Sequence, residues 1–277
     1  MRIGLITPAP DHPLLTATTA LLHAAGHTVE VTAPDADRPA DPADVYLLKA
    51  RTPAALALAA ALEQLGVPVL NSSAATAFCQ DRLAMADQAG RAGLPFAPTR
   101  TATLAVLAAD WPAHGGPLVV KSRHSRRGDL VARVTTGAEA ARLAARWPQE
   151  PVVVQDLAPG DGWDHKLWVV DGEPFAELRR SELADGGPLP HRRVERLPAG
   201  YADLALAVGR TFGLDVYGVD VLDVAGGPLI VDVNAFPGIR GQRGAPAALA
   251  ALATEVAAGR RHPAPGPRVP AGRQPGA

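Results

Sequence analysis

The chain has 277 residues, with 27 lysines and arginines against 28 aspartates and glutamates and a formal net charge of −1. That balance excludes the strongly basic stripe of a nonspecific nucleic-acid binder, and the length suits two or three small subdomains. A single cysteine, Cys79, excludes an internal disulfide framework and a cysteine-based zinc site, and points to a reducing cytoplasm.

Met1-Arg2-Ile3-Gly4-Leu5-Ile6-Thr7 is one positive charge and a short apolar run broken by Pro8 and Pro10. It reads as a first strand, too short for a signal-peptide core or a membrane span. Further strands are expected at Thr28 to Thr32, Val45 to Leu48 and Pro68 to Leu70, separated by alanine- and leucine-rich helical stretches. This is the pattern of a parallel α/β unit, in which ligands gather at the carboxyl ends of the strands. Lys49 and Arg51 follow the third strand, placed to hold a carboxylate or phosphate of a substrate; a solvated loop pair is the plain alternative.

Asn71-Ser72-Ser73 caps the next helix, and Gln80-Asp81-Arg82-Leu83-Ala84-Met85 is expected within it. A turn follows at Gly93-Leu94-Pro95-Phe96-Ala97-Pro98-Thr99. Pro117-Leu118-Val119-Val120-Lys121 is a buried strand that delivers a lysine, with a snorkelling edge lysine as the alternative. The segment Ser122-Arg123-His124-Ser125-Arg126-Arg127-Gly128-Asp129 is rich in charge and poor in glycine. Such a basic flap would close on an anionic ligand and screen it from water, or stand as a solvated cluster.

Pro151 to Leu157 is a strand running into a Pro-Gly turn, and Asp164 to Glu173 opens a hairpin with Lys166 and Trp168 on one face. Phe175 to Ser181 carries Arg179 and Arg180 into a long polar loop with His191, Arg192 and Arg193. Basic positions of this kind neutralise transferring phosphate.

The most informative segment is Gly218-Val219-Asp220-Val221-Leu222, a Gly226-Gly227-Pro228 turn, then Leu229-Ile230-Val231-Asp232-Val233-Asn234-Ala235-Phe236-Pro237-Gly238. Alternation puts Asp232 and Asn234 on one side, and folding about Gly226 sets Asp220 opposite Asp232 with Asp223 turned away. Facing carboxylates destabilise a sheet unless something cationic sits between them. Mg²⁺ resolves this with hard oxygen donors from Asp220, Asp232 and Asn234 and from nucleotide phosphates, with Mn²⁺ as the alternative cation. Ordinary strand-end acids are the bland reading. After Pro237-Gly238, the loop to Gly244 holds Arg240 and Arg243, suited to anion contact.

An acid on one strand and an acid-x-Asn followed by Pro-Gly on the next resembles the closing motif of the ATP-grasp superfamily. The resemblance runs from about Asn71 to Leu249 and implies an ATP-grasp fold, α/β, with an N-terminal parallel α/β domain. It implies nucleotide contacts from Lys121, from a hinge at Gln155, Asp156 and Leu157, and from Asp164, Lys166, Ser181 and Arg82, the last standing where the family usually has lysine. The Arg-Arg pair is similar to that of the ribosomal-protein glutamate-ligase (RimK-type) branch, which implies that Arg180 acts with Lys121 in catalysis.

The expected organisation is an N-terminal α/β substrate-side domain over 1–75, a linker helix region over 76–116 and a small ATP-grasp subdomain with the flap over 117–160. A C-terminal subdomain with the metal site over 161–258 and a disordered tail over 259–277 complete it. The activity implied is an ATP- and Mg²⁺-dependent carboxylate–amine ligase acting through an acyl phosphate. Its substrate would be a small molecule or peptide with carboxylate or phosphate groups, held by Lys49, Arg51, His124 and Arg240. No nucleic acid and no membrane are implied, and an oligomer is compatible. Asp232 to Gly238, Lys166 to Val170 and an Arg-x-Ser also resemble inositol trisphosphate kinases, which makes a polyol phosphate kinase the rival, with His124 and Lys166 on the sugar. An ATP-binding protein without catalysis is the third reading.

Overall fold

The computed structural model describes residues 1–111, 116–181, 183–184, 191–194 and 196–267. Strands β1 (Arg2–Ile6), β2 (Thr28–Thr32), β3 (Val45–Leu48) and β4 (Val69–Leu70) form a parallel sheet in the order β2-β1-β3-β4. The helices between them, α1 (Pro13–Ala24) and α2 (Pro53–Gln64), each begin with a proline, whose missing N–H costs nothing in a first turn. Gly4 is required on β1, because a Cβ there would stand 2.2 Å from the Tyr46 ring.

The C-terminal helix α8 (Ala245–Ala257) returns to this unit. Its Leu249, Leu252 and Val256 share a core with Leu14, Leu15 and Leu22 of α1 and with Trp168 and Phe236. The loop after residue 235 is therefore held against the first sheet.

A single helix was expected through residues 80–85, but α3 (Ser73–Phe78) stops and α4 (Arg82–Arg91) restarts. Asp81 is the reason. Its carboxylate accepts the Leu83 and Ala84 N–H groups at 3.0 and 3.2 Å, a capping geometry incompatible with a residue inside a helix. Ser72 caps α3, which frees Asn71 for another use. Fully buried, Asn71 accepts from Asp215 N and Val216 N and donates to Val216 O, tying the end of the first sheet to the strand that carries Asp220.

The second sheet is antiparallel, ordered β5-β8-β6-β7 from β5 (Thr99–Ala102), β6 (Leu118–Ser122), β7 (Val131–Val134) and β8 (Val152–Asp156). Residues 76–116, expected as linker helices, thus contribute a strand, since the threonines of β5 favour extended backbone and pair with β8. One face packs Leu118, Val120, Val134, Val152 and Val154 on α5 (Leu104–Ala109) and α6 (Gly137–Arg146). Alternation sends Val119, Lys121, Val131, Arg133 and Gln155 to the other.

The third sheet, also antiparallel, runs β11-β10-β9-β12-β13. It comprises β9 (Trp163–Val170), β10 (Glu173–Arg180), β11 (Arg192–Arg193), β12 (Val216–Val224) and β13 (Gly227–Ala235), backed by α7 (Tyr201–Phe212). Arg192 and Arg193, read from sequence as loop, pair with β10. The turn at 93–99 docks on β13, where Ala97 N–H donates to Ile230 O and Ile230 N–H to Pro95 O, so the second sheet is anchored over the third.

The expected disordered tail is corrected over 259–267. Arg261 pairs with Asp171 and Asp215, and Ala264 N–H donates to Asp215 Oδ2 at 2.8 Å, so a buried carboxylate draws the segment onto the fold. Residues 268–277 lie outside the described residues.

Candidate active site

The facing sides of the second and third sheets enclose a cavity of about 480 Å³, within the range of small-molecule sites. Its floor is the hairpin β12–β13. Asp220 stands opposite Asp232 and Asn234 opposite Gly218, the pairing that folding about Gly226 requires. The closing turn is in fact one residue tighter, with Val224 opposite Gly227, and a bulge beside Asp220 at Val231 restores the pairing. A bulge leaves its extra residue outside the ladder. Val231 O accepts instead from Lys121 Nζ at 2.8 Å, so the irregularity that aligns the two acids also seats the lysine from the other sheet.

Cations surround the acids. Lys166 faces Asp220 across β9–β12 and its amine pairs with that carboxylate. Arg82, 6% exposed, donates from Nη1 to Ser122 O at 2.8 Å and to Asp129 at 2.7 Å, and its Nη2 lies 3.6 Å from Asp232 Oδ2. Lys121, also 6% exposed, has its pKa lowered by burial, with Asp232, Asp220 and Asp164 acting in the opposite sense. Asp164 is raised, first by burial and then by Asp220, while a hydrogen bond with Ser181 and the charges of Arg179 and Lys166 pull it down.

Asp164 Oδ1 is buried without a hydrogen-bond partner among the described residues. Two acids opposed in one pair and a buried spare oxygen nearby fit a hard divalent cation such as Mg²⁺. No three acidic, histidine or cysteine side chains converge among the described residues. A cation here would therefore complete its shell with phosphate oxygens and water, the habit of Mg²⁺ at nucleotides. Asn234 shares the face of Asp232 two residues on, outside the cavity wall.

At the other end, Gln155 lines the cavity and donates to Thr99 Oγ1 at 2.9 Å. Asp156 is exposed and pairs with Arg100, and the Leu157 N–H is spent on Pro117 O at 3.0 Å. Both Arg179 and Arg180 line the cavity, but strand pairing sets Arg179 opposite Asp164 and Arg180 opposite Trp163. Arg180 donates to Asp161 O at 3.3 Å, whereas Arg179 acts electrostatically on Asp164. Sequence reasoning noted the arginine pair but singled out Arg180, and it missed Arg133 and Trp163 in this wall. The alternation of β7 was the signal that would have found Arg133.

The flap is less basic than its sequence. Arg123 makes a fork to Asp81, Arg126 a fork to Glu150, and Asp129 is held by Arg82. His124 is exposed and bridges to Asp81 through backbone, away from the cavity wall. Lys49, Arg51 and Arg240 also lie outside that wall. Lys49 donates to Phe236 O and Pro237 O at 3.2 and 3.1 Å, just past Asn234, and Arg51 donates to Ser125 Oγ at 3.3 Å.

Three comparisons bear on this arrangement. A family profile described as "RimK-like ATP-grasp domain" matches residues 108–251. The ribosomal protein bS6–L-glutamate ligase of Salmonella paratyphi B is 32% identical over 194 residues, 65% of this chain and 63% of that protein, so the match spans less than two thirds of the relative. The RimK domain protein ATP-grasp of Sphaerobacter thermophilus superposes with TM-score 0.77 at 24% identity, covering 91% of this chain and 98% of the other. The ATP-grasp ligase PsnB, solved with a precursor variant, Mg and ADP, superposes with TM-score 0.70 at 17% identity, covering 92% and 98%. These structures share the fold: a parallel α/β sheet followed by two antiparallel sheets.

Proposed function

This chain belongs to the RimK-like ATP-grasp family, and on that footing we propose that it is an ATP- and Mg²⁺-dependent carboxylate–amine ligase. The observation that carries the reading is the Asp220–Asp232 pair at the floor of a cavity walled by Lys121, Lys166, Arg179 and Arg180. Phosphoryl transfer asks mainly for positioning and charge neutralisation, which this wall supplies without a nucleophilic side chain.

A substrate carboxylate oxygen would attack the γ-phosphorus of ATP as the bond to the ADP oxygen breaks. An amine would then attack the carbonyl carbon of the acyl phosphate, phosphate would leave and the nitrogen would lose a proton. Lys121 and the two arginines would offset charge on the phosphates, while Lys166 and Arg82 pair with Asp220 and Asp232 before loading. Asp220, Asp232 and Asn234 would hold Mg²⁺, which would supply Lewis-acid charge neutralisation to the nucleotide phosphates. Gln155 to Leu157 and Ser181 would meet the base and ribose, and the spare oxygen of Asp164 would face the cation and its nucleotide. The proposed substrate is a carboxylate-bearing small molecule or peptide.

The test is incubation with ATP, Mg²⁺ and pooled carboxylates and amines, followed by ADP measurement and product mass. ADP with a new amide supports the ligase. ADP with a phosphorylated polyol overturns it for the kinase, and ATP binding without turnover overturns it for a non-catalytic protein.

A further inference from the structure

The third sheet carries a row of charged residues from one edge to the other. Backbone pairing sets Asp232 of β13 opposite Asp220 of β12, Asp220 opposite Lys166 of β9, Lys166 opposite Glu177 of β10, and Glu177 opposite Arg193 of β11. Residues directly opposite in antiparallel strands share a face, with Cβ atoms about 4.5–5.5 Å apart. Glu177 therefore stands on the cavity face immediately behind Lys166, outside the residues that line the cavity itself. It does not wall the nucleotide space, yet it lies within reach of the lysine.

Each acid of the proposed metal site is held by a cation, and a metal ion would compete with both. Arg82 has a second acid at hand: its Nη2 lies 3.6 Å from Asp232, while its Nη1 is bonded to Asp129 at 2.7 Å. Lys166 pairs with Asp220 and its side chain is only 12% exposed, so an ammonium left there without a carboxylate would be costly. Asp164, two residues along β9 on the same face, is already engaged, with Arg179 opposite it and a hydrogen bond with Ser181. Glu177 is the acid in register on the other side of the lysine, and its side chain is 13% exposed. Among the described residues it pairs with His191, whose Nδ1 lies 3.0 Å from Oε1; that ring is 59% exposed, so its hold is weak. The flexible stem of a lysine lets its ammonium move between neighbouring strands.

We propose that Glu177 is a positioning residue: when a divalent cation takes Asp220, the Lys166 ammonium passes to Glu177 and so stays in the cavity wall, facing the phosphates. This rests on the metal and nucleotide site of the ligase reading. The step exchanges ion-pair partners and breaks no covalent bond. Without Glu177, ammonium and metal compete for one carboxylate, and metal loading weakens.

Binding of a non-hydrolysable ATP analogue is titrated calorimetrically, in Mg²⁺ and in EDTA, in the wild type, E177Q, E177D, K166M and K166M/E177Q. E177Q keeps the shape of the side chain and removes its charge, whereas E177D keeps the charge. We expect E177Q to lower the Mg²⁺-dependent gain in affinity by about tenfold with affinity in EDTA unchanged, and E177D to keep the gain within about threefold. Without Lys166 the glutamate should cease to matter, so K166M and K166M/E177Q should agree within about twofold in Mg²⁺. A loss in E177Q that persists in the K166M background identifies a merely structural role and overturns the assignment. An undiminished gain in E177Q, or an E177D as weak as E177Q, overturns it too. If Mg²⁺ gives the wild type no gain, the metal site fails and the assignment with it. If the binding results hold but no carboxylate turns over, the ligase reading fails and the role of Glu177 stands.

Discussion

Arg82 does what a lysine in its place would not. Its planar fork reaches Ser122 O, Asp129 and Asp232 together, joining the flap to a proposed metal ligand, whereas an ammonium is a single point charge. R82K should fold normally and lose about tenfold in kcat/KM for ATP, roughly 1.4 kcal/mol of transition-state stabilisation; steady-state ADP release checks this. Lys49 offers a pH test. Burial, reinforced by Arg51 and Arg240, lowers its pKa from 10.5 to about 8. Between those values the unfolded chain binds the extra proton, so this group's contribution to stability rises with pH, and below pH 8 the cost of the buried charge is present in full. Wild type should therefore gain roughly 2 kcal/mol on K49M between about pH 7.5 and 10, read from urea unfolding at each pH.

At the scale of elements, local pattern made the hairpin legible and left its partners hidden. Acids among β-branched residues and a glycine turn sufficed to set Asp220 against Asp232. Lys166 facing Asp220 was not readable, because β9 and β12 are joined through β10 and α7 and their pairing is a fact of topology. The break at Asp81 was hidden for a similar reason: the carboxylate serves both α4 and Arg123 from the distant flap. The basic flap itself misled, since Glu150 and Asp81, which neutralise it, come from elsewhere in the chain. Polar, proline-rich composition likewise concealed the ordering of 259–267, which depends on Asp215, 4% exposed. R261A removes one of that carboxylate's partners and should lower stability by about 1–3 kcal/mol in urea unfolding, without altering nucleotide affinity.

For the whole molecule, function follows from how three sheets are pinned together. Asn71 fixes the first sheet to β12, the 93–99 turn fixes the second sheet to β13, and α8 returns to cover α1, so all three sheets are tied to the same hairpin. The fold was legible because strand and helix periods differ along the chain; which charged side chains meet across the three sheets was not, because the partners lie far apart in sequence. The account stands on the paired acids of that hairpin. Calorimetric titration of a non-hydrolysable ATP analogue into wild type and D232N, with Mg²⁺ and with EDTA, tests it most directly. We expect Mg²⁺ to tighten wild-type binding by at least about tenfold and D232N to lose that increment while keeping the wild-type circular dichroism spectrum. Equal affinity in EDTA, or an unchanged Mg²⁺ increment in D232N, would contradict it.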